Sequence, residues 1–132
     1  MNIKKLFLNY WKPALISLVI FYGSMASGEN INQFSLFSFP YGDKIIHLLM
    51  YYIFTITLLA SFIRAGKHTK LFQVIVSFVG VVSYGILMEV VQYFFTQTRS
   101  AEILDVLANI TGCIVALLSY PKIKKYPLLK IL

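Results

Sequence analysis

From Leu71 to Phe95 the chain reads LFQVIVSFVGVVSYGILMEVVQYFF, with Glu89 as its one charged residue. About 20 apolar residues in helical form are enough to cross the hydrocarbon core of a bilayer. With 58% hydrophobic and 13% charged residues in a chain of 132, there is too little charge to cover the surface of a soluble domain. Runs of the same kind lie at about 12–27, 44–63 and 103–120. Hydrocarbon offers the backbone no hydrogen-bond partner, so spanning segments must be helices or closed barrels. The strict alternation of barrel strands is absent. The expected fold is therefore all-α: an integral membrane four-helix bundle with transmembrane helices near 12–27, 44–63, 71–95 and 103–120, forming one domain over 1–132. Leu6–Trp11 can extend the first helix toward the interface, and Pro121 is expected to stop the fourth.

The charges between these spans set an orientation. Lys4, Lys5 and Lys12 precede the first span; Arg64, Lys67 and Lys70 separate the second from the third; Lys122, Lys124, Lys125 and Lys130 follow the fourth. Those regions hold ten of the twelve basic residues and none of the five acids. Lys44, Arg99, Glu29, Asp43, Glu89, Glu102 and Asp105 fall on the opposite side. Cytoplasmic loops carry the excess of lysine and arginine, so both termini are expected in the cytoplasm and loops 28–43 and 96–102 outside. The chain is thus expected to be a multi-pass membrane protein. The basic residues lack the aromatic-interleaved patches of a nucleic-acid surface, and no nucleic-acid partner is expected.

A second reading of the N-terminus is a signal peptide, with Lys4-Lys5, an apolar core and a small-residue site near Ala26. Trp11 and Lys12 interrupt that layout, and a retained helix is preferred. The first outer loop, with Phe34, Phe37, Phe39 and Tyr41, suits a segment resting on lipid headgroups. Gly23 with Ser27, and Gly112 with Ala116, are spaced for close helix contact. Cys113 is the single cysteine and reads as a small core hydrophobe, without a disulfide partner or thiolate metal site. His68 lies between Lys67 and Lys70 and is expected to be solvated.

Most of the remaining polar residues share three helix faces. Asp43, His47 and Tyr51 recur every four positions on the second helix, with Lys44 beside them; Glu89 and Gln92 share a face of the third; Asp105, Asn109 and Gly112 share a face of the fourth. A rise of about 1.5 Å per residue places Glu89 roughly 9 Å below the outer exit. All three faces reach the same outer depth. A charge in hydrocarbon costs several kcal/mol unless paired or hydrated, so these faces must meet one another or a wet cavity. Two readings follow: a hydrogen-bonded network in which Lys44 or Arg99 neutralises Glu89 and Asp105, or a pocket that binds or acts on a polar headgroup.

Asp43-Lys44 with His47 and Tyr51, then YGILMEVVQYF, then Arg99, then DVLANITG resembles the pattern of the VanZ-like family of small bacterial membrane proteins. The resemblance covers about residues 40–117 and places the family's polar motif on Asp43, Lys44, His47, Tyr51, Glu89, Gln92, Arg99, Asp105, Asn109 and Gly112. The stretch YFFTQT lacks the proline of the family pattern before Arg99. The family is named for an accessory protein of glycopeptide-resistance clusters, associated with lowered susceptibility to teicoplanin-type antibiotics. The resemblance thus implies an envelope role in the inner, cytoplasmic membrane of a bacterium.

Three functions are carried forward. The first is an envelope protein whose outward-facing pocket binds or modifies a lipid-linked or cell-wall headgroup, with Lys44 and Arg99 on its phosphate or carboxylate. The second is an intramembrane hydrolase or transferase in which His47, Glu89 and Asp105 supply acid–base catalysis. The same three residues are chemically permissible divalent-metal ligands, although no HExxH-type spacing supports them and no cofactor is expected. The third is a structural or scaffolding protein whose polar cluster is helix–helix glue. A transporter fits least, because four short helices leave little room for alternating access without dimerisation.

Overall fold

The computed structural model describes residues 3–25, 41–66, 68–95 and 102–125. They form four α-helices and, among the described residues, no strand: α1 (Ile3–Met25), α2 (Gly42–Ala65), α3 (Lys70–Phe95) and α4 (Ile103–Ile123). Each is long and apolar enough to cross a membrane. The Leu6–Trp11 stretch is helical and continuous with the rest of α1, which tolerates the internal Pro13. Pro121 does not stop α4, which runs two residues further. Proline deletes one backbone donor, and in a final turn that loss interrupts little of the hydrogen-bond ladder.

The α2–α3 turn explains how two long helices reverse within a few residues. Gly66 adopts φ 65°, and its N–H reaches the carbonyls of Phe62 and Ile63 at 3.3 and 3.2 Å. A residue with a side chain is strained in that left-handed conformation. Thr69 then caps α3, accepting the Phe72 N–H on Oγ1 at 3.3 Å. Buried Gln73 ties the turn together by donating Nε2 to the carbonyls of Phe62 and His68 at 3.2 and 3.1 Å. His68 is exposed and stacks on Phe72 with ring centroids 4.5 Å apart.

Packing is tightest between α2 and α4, which run parallel. A Cβ on Gly112 would lie 2.2 Å from the carbonyl oxygen of Leu48 and 3.1 Å from the Tyr52 nitrogen. The absent side chain lets the two backbones touch, as small residues do in membrane bundles. Ala116 and Cys113 continue that face and are fully buried. Farther along, Tyr52 Oη and Ser119 Oγ are 3.1 Å apart. Gly23 is different: no described atom lies within 4 Å of where its Cβ would sit, so it makes no comparable approach among the described residues.

α1 leans on α2 and α3 through Ile20, through the Tyr10–Phe62 ring pair at 5.6 Å, and through Tyr84, whose hydroxyl donates to the Ser17 carbonyl at 2.6 Å. Phe54 meets Tyr84 edge to face at 5.4 Å. Along α3 the buried positions Gln73, Ser77, Val81, Gly85, Met88, Glu89 and Gln92 recur every three or four residues, while Leu71, Ile75, Val79, Ile86 and Val90 are exposed. In water such an exposed stripe would be a liability; in a bilayer it is the lipid-facing surface. Tyr84→Phe removes one interhelical hydrogen bond, worth about 0.5–1 kcal/mol in membrane bundles. It is expected to lower the melting temperature in detergent by a few degrees, measured by tryptophan fluorescence against wild type.

Candidate functional site

Antiparallel alternation brings the first turns of α2 and α4 and the last turns of α3 to one end of the bundle. The N-terminal turns of α2 and α4 carry Asp43 and Asp105, where the partial positive charge of a helix start favours carboxylates. The opposite end carries Lys4, Lys5, Arg64, Lys70, Lys122, Lys124 and Lys125. The charge separation along the chain thus becomes a separation between the two ends of the folded bundle.

Lys44 is the centre of the acidic end. Its Nζ lies 2.6 Å from Asp43 Oδ2, 2.5 Å from Glu102 Oε2 and 2.9 Å from Asp105 Oδ1. The lysine side chain is 15% exposed and that of Asp105 8%, so this contact is shielded from water. The ammonium donates to Asp43 and Glu102, and the Asp105 carboxylate lies against it as an ion pair. In the structure Lys44 pairs internally, and its contact with Asp105 is the one the network reading expected.

One turn deeper, His47 Nδ1 is 3.1 Å from Asn109 Oδ1, a hydrogen bond in which a protonated Nδ1 donates to the amide oxygen. The same nitrogen is 4.0 Å from Glu89 Oε1. Glu89, Gln92, Asp105 and Asn109 are all buried, at 4%, 2%, 6% and 2% exposure. Tyr51 is buried beneath them. Gly85 of α3 makes room for it: a Cβ there would stand 3.0 Å from Tyr51 Cε1 and 3.2 Å from Asn109 Nδ2. The amide nitrogen of Asn109 has no hydrogen-bond partner among the described residues.

Eight of the nine residues expected in the binding site are described, and they come from three helices to this end. Arg99 and the aromatic segment 34–39 lie outside the described residues. The residue that the spacing argument passed over is Glu102. It precedes α4 and looked like an ordinary loop acid, yet it closes the cage around Lys44. Its position three residues before Asp105 was the available signal, since that spacing puts two carboxylates on one side of a helix start.

Two sets of potential metal-ligating atoms result. His47, Glu89 and Asp105 each place one such atom within 4.8 Å of the others, and Asp43, Glu102 and Asp105 do the same. Asp105 belongs to both. The arrangement is able to hold a cation, to move a proton between imidazole and carboxylate, or to bind hydroxyl and amine groups of a ligand.

Neither the curated proteins nor the solved structures contain a significant match to the chain. The family profile described as VanZ/LLP1 matches residues 3–125, which takes in all four helices. With four apolar helices and a match over nearly its whole length, the chain is a multi-pass membrane protein that belongs to the VanZ/LLP1 family.

Proposed function

We propose that the protein acts in the bacterial cytoplasmic membrane as an envelope factor whose acidic end binds the polar headgroup of a lipid-linked or cell-wall compound and lowers susceptibility to teicoplanin-type glycopeptides. In this reading both termini are cytoplasmic and the site faces outward, as the charge asymmetry favours. The observation that carries it is the convergence of Asp43, His47, Glu89, Gln92, Asp105 and Asn109 from three helices at a shared depth. A bundle needs some polar contacts for cohesion, but intramembrane ionisable groups concentrated at one end point to a ligand. With Lys44 committed to three carboxylates, recognition falls to acceptor-rich groups that favour hydroxyl- and amine-bearing headgroups.

Expression in a glycopeptide-susceptible host tests this. Wild-type protein is expected to raise the teicoplanin inhibitory concentration at least fourfold. Glu89→Gln and Asn109→Ala proteins, present in the membrane at equal amounts, are expected to leave it near the empty-vector value. Equal protection by all three would defeat the headgroup reading.

The close approach of His47 to Asn109 and Glu89 favours a second reading, an intramembrane hydrolase or transferase with His47 as general base. Its check is turnover of extracted envelope lipids by purified protein, lost in His47→Ala and followed by mass spectrometry.

A further inference from the structure

At the end of the bundle away from the acidic site, Lys5, Arg64, Lys70, Lys122, Lys124 and Lys125 are all exposed. No acidic side chain of the described residues accompanies them, since Asp43, Glu89, Glu102 and Asp105 all belong to the other end. Helix dipoles do not neutralise this charge. α1 and α3 begin at the basic end while α2 and α4 finish there, so their partial charges of about half a unit each cancel.

Packing brings these cations to one level. α2 and α4 run parallel with their backbones touching at Leu48 and Gly112, so they finish side by side. Arg64 in the last turn of α2 therefore comes level with Lys122 in the last turn of α4 and with Lys124 and Lys125 just beyond it. The tight turn at Gly66 returns the chain to the same level at Lys70, where α3 starts.

That level is the headgroup region. All four helices are long and apolar enough to cross a bilayer, so bases at the ends of α2 and α4 and the start of α3 lie within a side-chain length of the phosphates. The single tryptophan marks the level independently. Tyr10 pairs with Phe62, which sets Trp11 at the height of the last turn of α2. Trp11 is 42% exposed and carries the Lys12 ammonium 5.4 Å from its ring centroid, an amphipathic arrangement favoured at membrane interfaces.

Basic residues beside membrane spans orient a chain during insertion, and afterwards they remain as a cationic rim against the leaflet. A soluble acidic protein or a nucleic acid would have to compete there with lipid phosphates already in contact. We infer that the basic end is a docking surface for anionic phospholipid headgroups, centred on Arg64, Lys122, Lys124 and Lys125. Arg64 offers a phosphate two parallel donors, and the lysines add point charge. The preference is for net negative charge: phosphatidylglycerol and phosphatidylcholine both carry a phosphate, but only phosphatidylcholine neutralises it with its own cation. Each basic residue near an anionic lipid surface contributes about fivefold in affinity, an effect that salt screens. This surface is separate from the acidic site and independent of what that site binds.

Purified full-length protein in non-ionic detergent is mixed with equal amounts of phosphatidylglycerol and phosphatidylcholine, captured and washed. The retained lipids are extracted and counted by mass spectrometry. Wild type is expected to retain phosphatidylglycerol about fivefold or more over phosphatidylcholine at low salt. Concentrated sodium chloride is expected to shrink that preference severalfold. The variant combining Arg64→Gln, Lys122→Gln, Lys124→Gln and Lys125→Gln, shown to be helical by circular dichroism, is expected to approach equal retention. Equal retention by wild type would overturn the proposal, as would a preference that survives in the folded variant. Displacement of the lipid by inorganic phosphate at matched ionic strength would also overturn it, assigning the end to a soluble anion. Should the variant not fold, wild type decides alone, because a preference unmoved by salt is not electrostatic docking.

Discussion

Gly112→Ala is expected to separate α2 from α4 and to lower the melting temperature in detergent by about 10 °C or more. The added Cβ would sit 2.2 Å from the Leu48 carbonyl oxygen and 3.0 Å from its carbon. Both are backbone atoms held by helical hydrogen bonds, so no rotamer change relieves the overlap. Overpacking a filled core costs about 1–3 kcal/mol, and a rigid backbone neighbour belongs at the upper end. Gly80→Ala is the matched control. It places a methyl where no described atom lies within 4 Å, and alanine favours the helix by about 1 kcal/mol. If Gly112→Ala melts with Gly80→Ala, the backbone contact between α2 and α4 does not hold the bundle. Because that contact sits between Lys44–Asp105 and Tyr52–Ser119, its loss is also expected to disturb the lysine cage.

Lys44→Met should be the most damaging substitution at the acidic end. It leaves Asp43, Glu102 and Asp105 facing one another with the shared ammonium removed. Breaking a buried ion pair by deleting one partner costs about 3–5 kcal/mol, because the other charge stays buried. Asp43 and Glu102 are partly exposed and relax toward water, so about 3 kcal/mol is expected, concentrated on Asp105. The second substitution is diagnostic. Lys44→Met with Asp105→Asn should recover part of the loss, because the orphaned charge is gone. Additive losses in the double variant, measured by chemical or thermal unfolding in detergent, would show that Lys44 stabilises the bundle in some other way.

The polar faces were legible before any fold was known, and for a simple reason. In a chain this apolar each buried acid or amide stands out, and helical spacing assigns it to a face. Asp43, His47 and Tyr51, and then Asp105, Asn109 and Gly112, recur every three or four positions, so their shared faces follow from 3.6 residues per turn. Glu102 escaped because it precedes α4 and was read with the outer turn, although its spacing of three from Asp105 was there to be used. Gly85 escaped because its role is an absence: it leaves space for Tyr51 and Asn109, which belong to two other helices. The role of Lys44 was open for a related reason. A lysine beside an aspartate is equally suited to pairing with protein or with ligand, and only the distances to three carboxylates decide.

By itself the sequence determined that four apolar segments must be helices in a bilayer, since only helices and closed barrels satisfy the backbone there and the alternation of barrel strands is absent. It also determined that bases and acids would collect at opposite ends, because alternating spans carry alternate loops to opposite faces. Which helices touch was settled only in three dimensions. α2 and α4 approach at Gly112 because their backbones interlock there, and this brings Lys44 within reach of Asp105. The imidazole of His47 likewise meets Asn109 and Glu89 only through that packing. Periodicity fixes the face of one helix, whereas the partner of that face depends on the shapes of all four.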